Sequence, residues 1–163
     1  YRITRRIDVP REQAFRAFTD PRILADWMDA SGVTDLSGPL DRAGTSYTLV
    51  IAGPWRFRSE VIRVDAPHLH ETAGRGLLGA AYRMVATLEQ TDGGTELALL
   101  TEYTVPLGPI GRWIDRRWID REPRTASNRE FDRLVALVSD PSLSPQPHGA
   151  SRSLKGVTTD ATI

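Results

Sequence analysis

His68 and His70 stand two residues apart, just after Pro67. On a strand that spacing turns both imidazoles to one face. An imidazole titrates near neutrality, so His70 suits general acid–base work. The competing expectation is a solvated pair beside a turn. A zinc site needs more ligands than a pair supplies. The third histidine, His148, lies in a Pro- and Ser-rich segment near the C-terminus, so neither a metal nor a cofactor is expected.

Arg117 and Arg121 share a helical stretch with Trp113 and Trp118. A guanidinium there can hold a carboxylate or enolate oxygen through two parallel N–H groups. Asp115, Asp120 and Glu122 offer the alternative of a solvated face laced with weak ion pairs. Tyr82 and Tyr103 add phenol hydroxyls, and with His70 and Arg117 they make up the candidate catalytic set. Glu60, Asp65 and Glu102 are isolated carboxylates. Ser31, Ser37 and Ser59 lack the strand–turn–helix setting of a nucleophile, and the absence of cysteine removes thiol chemistry, disulfides and Cys-bound zinc.

Gly74-Arg75-Gly76-Leu77-Leu78-Gly79 matches G-x-G-x-x-G. That pattern binds a pyrophosphate only where it leaves a strand and opens a helix. Here Tyr82-Arg83-Met84 alternates like a strand, so dinucleotide binding is rejected and a mobile loop is expected.

The elements that must position these groups show in the periodicity. Tyr1, Ile3, Ile7 and Val9 alternate with polar residues, as in a half-buried strand. Pro10 ends it. Ala14, Phe15 and Phe18 share one helical face. Asp20-Pro21 caps a second short helix bearing Ile23, Leu24, Trp27 and Met28. From Gly32 the pattern is β, punctuated by Gly/Pro turns. Thr45–Ala52 presents Tyr47, Leu49 and Ile51 together. Trp55–Val64 changes phase from Trp55 and Phe57 to Ile62 and Val64, which predicts a bulge near Glu60 or Val61. Ala81–Glu89 groups Tyr82, Met84, Ala86 and Leu88. Thr95–Val105 groups Leu97, Leu99, Thr101, Tyr103 and Val105. Asp92-Gly93-Gly94 between them is a hairpin signal. A helical pattern then runs to about Val138, interrupted by Pro123, where a bend or a division into two abutting helices is expected. Residues 1–138 form one expected domain, and 139–163 read as a disordered tail.

Ile7-Asp8-Val9-Pro10-Arg11-Glu12-Gln13-Ala14-Phe15 and Asp20-Pro21-Arg22-Ile23-Leu24-Ala25-Asp26-Trp27 resemble the strand-to-helix entry and second-helix signature of the START-like superfamily. This group is also described as the SRPBCC or polyketide cyclase/dehydrase-like helix-grip family. The resemblance implies an α+β fold: a curved antiparallel sheet of six to seven strands around a long C-terminal helix, with two short helices after strand 1. It further implies a cavity between sheet and helix. Relatives bind lipids, quinones or polyketide intermediates, and some catalyse cyclisation or dehydration.

On this fold Trp27, Tyr47, Phe57, Tyr82, Met84, Tyr103, Trp113, Arg117 and Trp118 are the expected ligand-binding set, with Trp55 a further aromatic. The alternative for each is ordinary core packing. The leading expectation is a carrier of a small, largely hydrophobic molecule. The alternatives are a polyketide aromatase/cyclase or dehydratase, and a protein-interaction module. Acidic and basic residues balance at 21 each, which argues against a nucleic-acid partner. No stretch approaches the roughly 20 apolar residues of a membrane span. No signal-peptide pattern is present, so a cytoplasmic location is the default expectation, and a monomer or weak homodimer is expected.

Overall fold

The computed structural model describes residues 2–51, 56–104 and 123–139. Seven strands form one curved antiparallel sheet. They are β1 (Arg2–Ile7), β2 (Ala30–Thr34), β3 (Ser46–Ile51), β4 (Arg56–Asp65), β5 (Leu69–Arg75), β6 (Ala81–Thr91) and β7 (Gly94–Thr104). Their order is β1-β7-β6-β5-β4-β3-β2. The helices are α1 (Arg11–Phe18), α2 (Pro21–Trp27) and α3 (Pro123–Ser139).

The sheet is a meander from β2 to β7, and β1 closes its far side by pairing with β7. Since β1 and β2 occupy opposite edges, α1 and α2 carry the chain from one edge to the other. Their entry follows from local chemistry. Pro21 cannot donate a backbone N–H and suits the first helical turn. Asp20 caps α2, its carboxylate accepting from the backbone N–H of Arg22 at 2.8 Å. Arg22 also donates to Asp20 from its side chain, at 2.7 Å, and this bond first, then the backbone N–H bonds, holds the carboxyl below the usual range. The apolar stripe then buries Ile23, Leu24 and Trp27.

The helices cover the concave face. Phe15 and Phe18 of α1 and Phe131, Leu134 and Val138 of α3 join Ile7, Leu88 and Leu97 from the strands in one core. α3 packs on α1, α2 and β1. The sheet alternates as the sequence predicts along β6, where Met84, Ala86 and Leu88 are buried. Thr91 pairs with Gly94 around the two-residue Asp92-Gly93 turn. Gly94 sits at φ +139°, and a β-carbon there would meet the carbonyl of Ile7, so the hairpin needs glycine at that position.

Two expectations are refined. The β4 register slips between Val61 and Arg63, beside the predicted bulge. Ile62 is the extra residue and lies 48% exposed, while Val61 is fully buried. The inward set is therefore Phe57, Ser59, Val61 and Val64, without Ile62. The Gly74–Gly79 segment is also more ordered than a loop: Gly74 and Arg75 end β5, and Leu77–Gly79 forms a single 3₁₀ turn. No α-helix follows it, as expected on rejecting a dinucleotide site. Trp55, the predicted first half of the long helix before Pro123, and the 140–163 segment lie outside the described residues.

Candidate ligand-binding cavity

A cavity of about 270 Å³ opens between the concave face and α2. Register explains its walls. Tyr82 pairs with Tyr103, Met84 with Thr101 and Ala86 with Leu99, so side chains two residues apart on β6 and β7 line up in rows. The rows grade from a half-exposed tyrosine end to a buried interior. Tyr103 is 41% exposed, while Met84 and Leu99 are buried. Ile3 of β1, Leu49 and Ile51 of β3 and Phe57 of β4 extend the wall to both sides. Trp27 of α2 and the residue that caps it, Met28, close it, with the Trp27 ring braced by Phe18 at 5.9 Å between centroids.

Of the sequence-predicted ligand-binding residues, Trp27, Phe57, Tyr82, Met84 and Tyr103 line this cavity. Tyr47 is not among the lining residues: it is buried on the Leu49 face of β3, and its hydroxyl lies 3.4 Å from that of Tyr82. Trp113, Arg117 and Trp118 lie outside the described residues. Ile3, Met28, Leu49, Ile51, Leu99 and Thr101 were not singled out as site residues. The signal for several of them was present, because Leu49 and Ile51 share the Tyr47 face and Leu99 and Thr101 share the Tyr103 face.

The polar groups at the wall are mostly hydroxyls. Tyr82 donates to Ser59 Oγ at 2.7 Å, and Ser59 donates to the Phe57 carbonyl at 3.3 Å. The Tyr82 ring lies over Gly74, where any β-carbon would overlap it. Phe57 packs edge-on against Tyr82 at 5.7 Å. Burial first, and the neighbouring Tyr82 second, push the Tyr47 phenol well above its ordinary titration range, so it stays protonated.

His70 is not at the wall. It is buried on β5 beneath α1, its ring meeting Phe18 and Phe15 edge-on at 5.4 and 6.3 Å. Nε2 donates to the Leu40 carbonyl at 2.7 Å. Burial pulls its pKa below the ordinary histidine value, with the Leu40 bond and Asp41 opposing. This corrects the expectation of a solvated pair: His68 is exposed, but His70 is a core residue that pins the Leu40 loop. The carboxylates also resolve. Glu102 pairs with Arg83 on the convex face, while Glu60 and Asp65 are exposed. Among the described residues no group of three metal-ligating side chains converges.

The chain matches, over residues 1–139, the family described as polyketide cyclase / dehydrase and lipid transport. No curated protein matches it. Among solved structures, a protein of Thermus thermophilus aligns with a TM-score of 0.68 at 17% identity, covering 84% of this chain and 94% of that one. A Rhodobacter sphaeroides protein aligns at 0.63 and 22%, covering 85% and 90%. DynU16, described as a protein in the dynemicin biosynthetic locus, aligns at 0.57 and 20%, covering 84% of this chain and 46% of its own. At such identities the likeness is one of fold.

Proposed function

This chain belongs to the polyketide cyclase/dehydrase and lipid transport family, and on that premise we propose that it binds a small, largely hydrophobic molecule between its sheet and helices. The observation that carries this reading is the cavity of about 270 Å³, walled by Trp27, Met84, Leu99 and Phe57 and open at its tyrosine end. Ligand sites are mostly apolar with a few placed polar groups, and usually measure about 300–1,000 Å³. The cavity lies near the lower limit, which favours a compact guest such as a ring system or a short acyl chain. Tyr47 contributes from beside the lining residues, through its 3.4 Å contact with Tyr82. Trp113, Arg117 and Trp118 are proposed as further ligand-binding residues on the sequence pattern alone.

The test combines native mass spectrometry with thermal unfolding across lipids, quinones and polyketide-like aromatics. A ligand that binds only the folded state raises the unfolding temperature. At least one class is expected to do so, with a mass adduct, and Met84→Trp is expected to abolish both by filling the cavity. No shift and no adduct from any class would remove the proposal.

A second reading, a polyketide aromatase/cyclase or dehydratase, draws on the family description and on the hydroxyls of Tyr82 and Tyr103 at the cavity. It needs a donor for an enolate oxygen, a role these phenols and Arg117 would share. His70 does not contribute from its place under α1. Full turnover of a poly-β-keto substrate by a Tyr82→Phe/Tyr103→Phe double variant would end this reading of the phenols.

A further inference from the structure

We infer that the cavity selects for a guest that carries a hydrogen-bond donor, an alcohol, phenol or N–H, and that Tyr82 is the residue that reads it. The inference deepens the binding reading above and rests on it.

The argument is one of proton direction. A backbone carbonyl has no proton, so Ser59 must donate in its 3.3 Å bond to Phe57 O. Ser59 Oγ is then the acceptor for the Tyr82 hydroxyl at 2.7 Å, and the single Tyr82 proton is committed there. Tyr47, 3.4 Å from the Tyr82 oxygen, is left as the donor of that pair. A phenol oxygen carries one proton and two acceptor sites. Tyr47 takes one of them loosely, and the other remains for a guest. The cavity therefore meets a molecule at Tyr82 with a lone pair instead of a proton.

The ring cannot easily turn to reverse this. It rests on Gly74, where a β-carbon would collide with both the ring and Ser59 Oγ, and Phe57 holds its other side. Offering the proton to a carbonyl guest would break the 2.7 Å bond. It would also leave the buried Ser59 with only its longer bond to the Phe57 carbonyl, a loss an acceptor-only guest does not make good at Ser59.

Matched naphthalenes test this by calorimetric titration: naphthalene, 2-naphthol, 2-methoxynaphthalene and 2-acetonaphthone. The wild type is expected to bind 2-naphthol about tenfold tighter than the methyl ether or the ketone. Tyr82→Phe should erase that preference. Ser59→Ala frees the Tyr82 proton and should raise ketone affinity relative to the ether, which keeps the test decisive if Tyr82→Phe does not fold. Equal binding of naphthol and ether, or a preference that survives Tyr82→Phe, overturns the inference while naphthalene binding preserves the cavity reading. If no naphthalene binds the wild type at all, the inference about Tyr82 falls, while the binding reading stands or falls on the lipid, quinone and polyketide screen above.

Discussion

His70 carries an acid sensitivity that its surroundings impose. With α1 aromatics over its ring, the imidazolium loses water, and its folded-state pKa falls below the ordinary value of 6.5. The unfolded chain then takes up a proton first as pH falls. Stability is full above about pH 6.5 and declines as pH drops from there toward the folded-state pKa. The urea midpoint is expected to fall between pH 7.5 and pH 5. His70→Gln retains a donor for Leu40 and should flatten that slope. An equal decline in both proteins would show that another group governs it. The residue-level lesson concerns legibility. His68 and His70 look alike in sequence, and only burial under Phe15 and Phe18 separates them. That burial comes from a helix more than fifty positions earlier, so no local pattern reports it.

At the scale of elements, the sequence was most informative where one residue fixes a boundary. Asp20-Pro21 is such a place, and Asp20→Ala should cost about 1 kcal/mol by removing the cap of α2. Thermal or urea unfolding measures it, with Asp20→Asn expected to recover most of the loss. An unchanged Asp20→Ala would mean that tertiary packing alone sets the start of α2. Strands were legible where inward residues are large and apolar, as with Tyr82, Met84, Ala86 and Leu88. Two strands were not. In β5 the inward positions are His70, Thr72 and Gly74, polar or small because Tyr82 and the α1 aromatics already fill the space over them. In β2, Ala-Ser-Gly-Val-Thr offers one large apolar side chain and a register shift between Ala30 and Gly32. The same limit applied to the cavity. Aromatics stand out in a sequence, whereas Ile3, Leu49 and Leu99 gain their role only through cross-strand register.

At the scale of the molecule, the convex face is tied by charge across four strands. Glu71 is nearly buried and meets Arg83 at 2.9 Å and Arg63 at 3.4 Å, and Arg83 reaches Glu102 at 3.5 Å. The arginines are half-exposed or more, so water screens much of the attraction. Glu71→Gln is expected to lower Tm by about 2–4 °C in dilute buffer, and by less in roughly 1 M salt. A larger loss at high salt would contradict an electrostatic origin. The pairing of β1 with β7 reaches further still. Ile3 sits opposite Leu99, so the first strand to be synthesised finds its hydrogen-bond partner only after nearly the whole sheet has been made. Closing so long a loop is entropically costly and slow. Both residues belong to the cavity wall, so the space for a guest comes into being at the last pairing, and a nascent chain ending before β7 has nowhere to hold one.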